Sequence, residues 1–334
     1  MEHREIDKNY YKDLYNLCSQ ANLLQSAEYG EAKSKAEGFQ VLRVAVVKDG
    51  APISIYQALL KIFPLLGTVV RINRAPLFLP DSVLDGNTIA DLYHSLYNEW
   101  VIRRKSLLTI APNLNDDLEN IAIIKHIGFH PGSEKKWESG YLDLNCSPDV
   151  LRKGLLQKWR NMLNKAERLG MEFKIANGHE ELDLQLGEYG CFMRERNFRG
   201  VSCELLMALH MCNPGMLHIF TAIREGHQIG TVITAAHGDT CTYLVGFTSE
   251  DGRKCNANYF LLWNALLWCR GEGIRWFDVG GIDNVNTPGI AHFKEGLGIM
   301  PYRMAGEFEG GSSFRMFTGR TLKKIYYAVV SRYL

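Results

Sequence analysis

The chain repeats itself. Val41–Lys48, the pair Asp49-Gly50 and Ile53–Ile62 read as strand, turn and strand, and they have a counterpart in Leu217–Arg224, Glu225-Gly226 and Ile229–Ala236. The two turns lie 176 positions apart. Each is expected to be a tight β-hairpin, because a pair ending in Gly tolerates the positive φ of a two-residue turn. Further on, the short apolar strand Ser106–Ala111 and the later segment Ile124–Phe129 are matched by Arg275–Val279 and Phe293–Gly298, with the strands 169 positions apart. An extended segment follows each: Trp137–Leu144 and Tyr302–Phe308. Both offsets are close to half of a 334-residue chain. A duplicated unit is the expectation, and it restricts the fold more than any single motif does.

Each unit reads as helix, hairpin strands, helix, strand, helix, strand. That is an α/β fold (α+β in its mixed sheet) with helices flanking the sheet. The boundary is expected near Asn145–Asp149, where Cys146-Ser147-Pro148-Asp149 offers a capping side chain and an early proline. This gives a first domain over 1–145 and a second over 146–317. A terminal basic and aromatic helix over 318–334 then either packs back on the first domain or rests on an anionic membrane face.

Composition excludes several classes. With 46% apolar and 22% charged residues the chain is neither disordered nor a small disulfide scaffold. The 38 Lys and Arg against 37 Asp and Glu leave a net charge of +1, so any nucleic-acid contact needs a local basic patch. The N-terminus shows no apolar signal region. The longest apolar stretch, Ile53–Val70, is interrupted by Lys61, Pro64 and Gly67 and reads as two strands rather than a membrane span. The 8 cysteines form no C-x-x-C pair and are expected to be reduced, which points to a cytoplasmic setting.

Two helices stand out. Val150–Leu169 places Leu151, Leu155, Trp159, Leu163 and Ala166 on one stripe, and Gly170 stops it. Its other faces carry Arg152, Lys153, Lys158, Arg160, Lys165 and Arg168 against the single acid Glu167. This is either a positive ridge that meets phosphates or a solvated face. Asn258–Arg270 is apolar almost all round, and its tryptophans read as core.

No G-x-S-x-G, H-E-x-x-H or phosphate-loop pattern is present. The expectation is therefore a metal-free enzyme that works by positioning. The chemistry-bearing segment is Phe277-Asp278-Val279-Gly280-Gly281-Ile282, followed by Ala291-His292-Phe293-Lys294-Glu295-Gly296-Leu297-Gly298. Its glycines either bring backbone N–H groups close to a ligand or only shape a bulge. Lys294 either serves the reaction or lays its stem along the surface. Asp278 is either a base or a pin for the following turn.

These segments resemble the Fem-type peptidoglycan-bridge aminoacyltransferases through nearly the whole chain. Leu24-Gln25-Ser26-Ala27-Glu28-Tyr29-Gly30-Glu31-Ala32-Lys33 is similar to the family's opening motif. Asn73-Arg74-Ala75-Pro76 is similar to its R-G-P segment, and Trp159–Glu167 to the helix that opens its second half. Phe277–Ile282 and Phe293–Gly298 resemble its D-x-G-G and F-K-x-G-F-G motifs. Tyr29, Ala75 and Leu297 depart from the family's Trp, Gly and Phe, and the long coiled-coil arm of some members is absent.

The resemblance implies two tandem GNAT-like domains. It implies transfer of an amino acid from aminoacyl-tRNA to a side-chain amine of a cell-wall stem peptide, carried on a UDP-muramyl peptide or its lipid-linked form, without a cofactor. Lys33 and an arginine of the second unit would hold acceptor phosphates. Arg196 is the candidate among Arg194, Arg196 and Arg199, and Arg74, Gly280 and Gly281 complete the substrate site. Phe293, Lys294 and Asp278 would stand at the reacting end, and Lys158, Arg160 and Lys165 would track the tRNA backbone. Two rivals remain. One is an N-acyltransferase using acyl-CoA or an acyl carrier, against which Asn256 and Asn258 stand where a pyrophosphate loop wants glycine. The other is a non-catalytic duplicated binding domain.

Overall fold

The computed structural model describes residues 1–64, 67–80, 82, 85–133 and 136–319. The first half runs β1 (Glu2–Glu5), α1 (Lys8–Leu17), α2 (Ala27–Glu37), β2 (Gln40–Lys48), β3 (Ala51–Phe63), β4 (Gly67–Asn73) and β5 (Leu77–Phe78). It continues with α3 (Gly86–Tyr97), β6 (Leu107–Ala111), α4 (Leu118–His126) and β7 (His130–Ser133). The second half runs β8 (Glu138–Asp143), α5 (Pro148–Gly154), α6 (Gln157–Glu167), β9 (Glu172–Ala176), α7 (His179–Arg196), α8 (Cys203–Cys212), β10 (Leu217–Arg224) and β11 (His227–His237). Then come β12 (Thr240–Thr248), α9 (Glu250–Lys254), α10 (Ala257–Gly271), β13 (Trp276–Asp278), α11 (Pro288–Glu295), β14 (Met300–Arg303) and β15 (Glu307–Gly310). The terminal helix expected over 318–334 lies outside the described residues from position 320 on.

The duplication is visible in the two sheets. One has the order β1-β2-β3-β4-β6-β15-β7, with β5 on β3; the other has β14-β8-β13-β12-β11-β10-β9. In each, an antiparallel meander ends in a parallel pair, β4 with β6 and β12 with β13. Both expected hairpin turns take positive φ, at Asp49 and Gly50 and at Glu225 and Gly226.

The strand after each parallel pair comes from elsewhere in the chain. β8 lies against β13 in the second sheet, and β15 lies between β6 and β7 in the first. The expected boundary at 145 therefore moves. One unit holds Met1–Cys18, Glu37–Trp137 and the chain from Arg303 on; the other holds Ser19–Ala36 and Glu138–Tyr302. The physical reason is in the cores. Ala305 and Phe308 complete the first unit's core around Tyr56, Tyr93 and Trp100. Leu142 and Leu144 complete the second around Trp159, Trp263 and Phe277.

The expected helix over 150–169 is two helices. Leu155 and Leu156 are extended (ψ 137 and 146), and the Leu156 N–H donates to the Gly296 carbonyl at 2.9 Å. This bond to the loop after α11 replaces a helical one. The apolar stripe survives the break, with Leu151, Leu155, Trp159, Leu163 and Ala166 all buried. α10 is buried as expected, through Leu261, Leu262, Trp263, Ala265, Leu266 and Cys269. No helix among the described residues is long and apolar enough to cross a membrane. The cysteines are all free thiols.

Candidate functional site

The site is built at the carboxyl end of β13 in the second unit. β13 pairs in parallel with β12 only as far as Thr242 opposite Asp278, while β12 runs on to Thr248. A bulge leaves Leu244 without a counterpart between Val245 opposite Ile233 and Tyr243 opposite Thr234. An opening at the end of a parallel strand is where open α/β sheets place ligands. The chain leaves β13 through Gly280, whose φ is +69, and a Cβ there would lie 2.5 Å from the Tyr243 carbonyl oxygen. Both the conformation and the space require glycine.

Asp278 is 3% exposed. Its carboxylate accepts from the Ser139 hydroxyl at 2.5 Å, the Gly280 N–H at 2.8 Å and the Tyr302 hydroxyl at 2.9 Å. Ser139 also reaches the Gly280 carbonyl at 2.8 Å. These bonds tie the turn to β8 and β14, as the pin reading of Asp278 expects. The Gly280 N–H is engaged by Asp278 and is not available to a ligand. The neighbouring Gly281 N–H makes no hydrogen bond among the described residues, and Gly281 is exposed.

Lys294 does not lie along the surface. It is 6% exposed, its Nζ donates to the Gly281 carbonyl at 2.7 Å, and it stands 5.2 Å from the centre of the Tyr243 ring. Burial pulls its pKa down from 10.5 to about 8, with the Asp278 charge opposing the shift. Near neutral pH it is a cation whose proton is easily released.

The helix α11 that carries Lys294 is seated by its neighbours. The Trp159 Nε1–H donates to the Phe293 carbonyl at 3.0 Å, and the Phe293 ring packs 5.0 Å from Tyr259 and 5.9 Å from Trp159. A Cβ on Gly296 would lie 2.7 Å from Trp159, and one on Gly298 would overlap the Gly154 carbonyl oxygen. The glycines of the F-K-x-G-L-G segment therefore serve close packing against α5 and α6, not ligand approach.

Of the other expected residues, Lys33 is half-buried on α2 and belongs to the second unit. Arg196 ends α7, with its guanidinium 5.5 Å from the Phe192 ring. Arg74 belongs to the first unit, has φ +50 and lies 5.4 Å over Trp137. On α6, Lys158 and Lys165 are exposed and Arg160 is half-buried; none has an ion-pair partner among the described residues. Lys158, Asn161, Lys165 and Arg168 border an open groove of about 600 Å³. Arg152 is lost to this ridge, because the break before α6 lets it pair with Glu167 at 2.5 and 2.9 Å.

Ser139, Tyr302 and Tyr243 escaped the sequence reading. The first two lie in extended segments without a motif, and Tyr243 meets the site only through the sheet. Among the described residues no group of three or more His, Cys, Asp and Glu side chains is placed to hold a metal ion.

The fold is that of tandem GNAT-like acyltransferases. Residues 153–295, from α5 to the end of α11, match the acetyltransferase (GNAT) domain family. The likeness is of the Fem type. The crystal structure of FemX superposes with a TM-score of 0.80 over 95% of this chain and 99% of that one, at 17% identity. A tandem GNAT protein from the clavulanic acid biosynthesis pathway gives 0.54 over 92% and 98%, at 14% identity. L-PGS from Bacillus licheniformis gives 0.51 over 89% and 95%, at 14% identity. No curated protein sequence matches the chain.

Proposed function

We propose that this protein is an aminoacyltransferase that moves an amino acid from aminoacyl-tRNA to an amine of a peptidoglycan-precursor stem peptide. The observation that carries the reading is Lys294: a buried, hydrogen-bonded lysine of lowered pKa at the open end of a GNAT-type sheet. A carbonyl ester needs little covalent help. The neutral acceptor amine attacks the ester carbon, an oxyanion develops, and collapse releases the ribose hydroxyl and leaves an amide. Before attack, the acceptor ammonium gives a proton to solvent. The Lys294 ammonium sits beside the reacting carbonyl and stabilises the oxyanion, aided by the open Gly281 N–H. It then donates a proton to the departing ribose oxygen and recovers one, through solvent, from the attacking nitrogen as that becomes the amide.

Asp278 holds the turn that presents the Gly281 carbonyl to Lys294. It acts by positioning. Phe293 walls the reacting end. Lys33 and Arg196 serve the acceptor's phosphates, and Lys158, Arg160 and Lys165 follow the tRNA backbone. The acceptor is a UDP-muramyl peptide or its lipid-linked form.

The test is incubation with a mixed pool of aminoacyl-tRNAs and a UDP-muramyl pentapeptide, reading the peptide's mass. A gain of one amino-acid residue, absent with Lys294→Ala, is the expected result. Unchanged mass with tRNA still charged, for both the soluble and the lipid-linked acceptor, overturns it. One observation favours a second reading, acyl transfer from a CoA or carrier thioester: the family match is to an acetyltransferase domain. Mass gain from an acyl-CoA pool instead of the tRNA pool would select it.

A further inference from the structure

We infer that Trp159 is a positioning residue of the transfer reaction: its indole fixes the end of α11 and with it the place where Lys294 stands. The inference rests on the reading of Lys294 as the reacting cation. A lysine ammonium taken out of water gains by returning to it. Lys294 is buried all the same, with the Asp278 carboxylate as the charge that acts on it. The Gly281 carbonyl at 2.7 Å and the Tyr243 ring at 5.2 Å receive the ammonium. A head group on a flexible four-carbon stem stays there only while its own backbone is held.

That backbone lies at the end of a helix. α11 has 8 residues and stops at Glu295, and the last carbonyls of a helix have no partner within it. Leu297 would bond to the Phe293 carbonyl if the helix went on, but it donates to the Lys294 carbonyl at 3.2 Å instead. The Phe293 carbonyl is taken by the Trp159 Nε1–H at 3.0 Å. This carbonyl belongs to the planar peptide unit whose nitrogen is that of Lys294. The indole thus sets the orientation of the peptide from which the Lys294 side chain departs.

The indole is itself held. Trp159 is buried, and its ring meets Tyr259 edge-on at 5.0 Å and Phe293 at 5.9 Å. A Cβ on Gly296 would lie 2.7 Å from the indole, so the chain after α11 closes on it with no spare room. The Leu156 N–H, just before α6, donates to the Gly296 carbonyl at 2.9 Å and joins the same two segments. In sequence Trp159 stands between Lys158, which is exposed, and Arg160, which is half-buried. One helix therefore carries the proposed tRNA-backbone contacts on its outer face and the clamp on Lys294 on its inner face.

The experiment replaces Trp159 in the full chain by β-benzothienylalanine, which keeps the shape of the ring pair and lacks the N–H donor, and separately makes Trp159→Phe. Trp263→Phe is the control: Trp263 is buried in the same core and makes no hydrogen bond to α11 among the described residues. The titration of Lys294 is read from its 13Cε resonance, assigned with Lys294→Met, and turnover from kcat and KM. With the indole N–H gone, Lys294 should give up its proton at about pH 9 or above instead of about 8, closer to a solvated lysine. In the same variants kcat should fall at least about tenfold with KM nearly unchanged. Trp263→Phe should lower the melting temperature and leave the titration in place. A Lys294 that titrates alike in the parent and the benzothienyl variant overturns the inference. An equal change in Trp263→Phe overturns it as well, since general loosening of the core would account for both. A change confined to the position-159 variants, in a protein that turns over only with another acyl donor, upholds the inference and refutes the aminoacyl-tRNA reading alone.

Discussion

Lys294→Met should stabilise the fold at neutral pH while abolishing turnover. The unfolded chain holds the Lys294 proton up to about 10.5 and the folded chain only up to about 8. Between those values the unfolded state binds more protons, so stability rises with pH there. Below about 8 both states are protonated and the burial penalty is fully present. The gap converts to roughly 3 kcal/mol at pH 7, about 2 at pH 9 and a few tenths at pH 10.5. Methionine has similar length and no charge. It removes the penalty and also the 2.7 Å bond to the Gly281 carbonyl, which is worth about 1 kcal/mol. The variant should therefore be more stable by about 2 kcal/mol at pH 7, by about 1 at pH 9, and slightly less stable near pH 10.5. Urea unfolding of both proteins across this range reads the difference, and groups common to the two cancel. A variant less stable at pH 7, or a difference that stays flat between pH 7 and 10.5, would refute the account of Lys294 as a destabilising, easily deprotonated cation.

Other consequences are open to measurement. Gly280→Ala meets both a positive φ and the Tyr243 carbonyl at 2.5 Å and should cost about 2–4 kcal/mol. Gly226→Ala, with φ +80 and open space around it, should cost only about 1, both read by denaturant midpoint. Asp278→Asn keeps a carbonyl acceptor for one donor but places an NH2 against the others; kcat should fall at least about tenfold with KM nearly unchanged, as expected of a positioning residue. Lys158→Ala and Lys165→Ala should each reduce the salt slope of tRNA binding by about 0.7–0.9, whereas Arg152→Ala, whose charge is taken by Glu167, should leave the slope unchanged.

Much of the second unit was legible because its signals are local. The Glu225-Gly226 turn fixes a hairpin by backbone conformation alone, and α10 announces burial through an apolar surface that no solvent-facing helix carries. Lys294 stood out in the sequence through its motif, but its setting did not. Nothing in Phe293-Lys294-Glu295-Gly296 says whether the lysine is buried; that follows from the Gly281 carbonyl and the Tyr243 ring, which reach it through the sheet. Asp278 could not be sorted into base or pin for the same reason, since its partners Ser139 and Tyr302 lie 139 and 24 positions away.

The strand exchange shows why a repeat can predict architecture and still misplace a boundary. Matching segments in two halves specify which elements exist, and Trp137–Leu144 and Tyr302–Phe308 were both correctly read as extended. An alternating strand with one apolar face satisfies either of two equivalent slots, next to β6 or next to β13, because duplicated sheets offer duplicated neighbours. Sequence offset is indifferent between them. The choice is made by the core that each strand and its neighbours must close. β8 is followed at once by α5 and α6, which must cover the second core with Leu151, Leu155 and Trp159, and that holds β8 against β13. β15 follows β14 after only three residues, yet its Phe308 closes the first core. The break at Leu155 and Leu156 belongs to the same logic: helix propensity favours continuity, but the bond from Leu156 to Gly296 and the fit of Gly298 on Gly154 need the chain to turn there. The glycines of the most family-specific motif thus act on the helix that opens the second half, and the lysine between them is held in place by that packing.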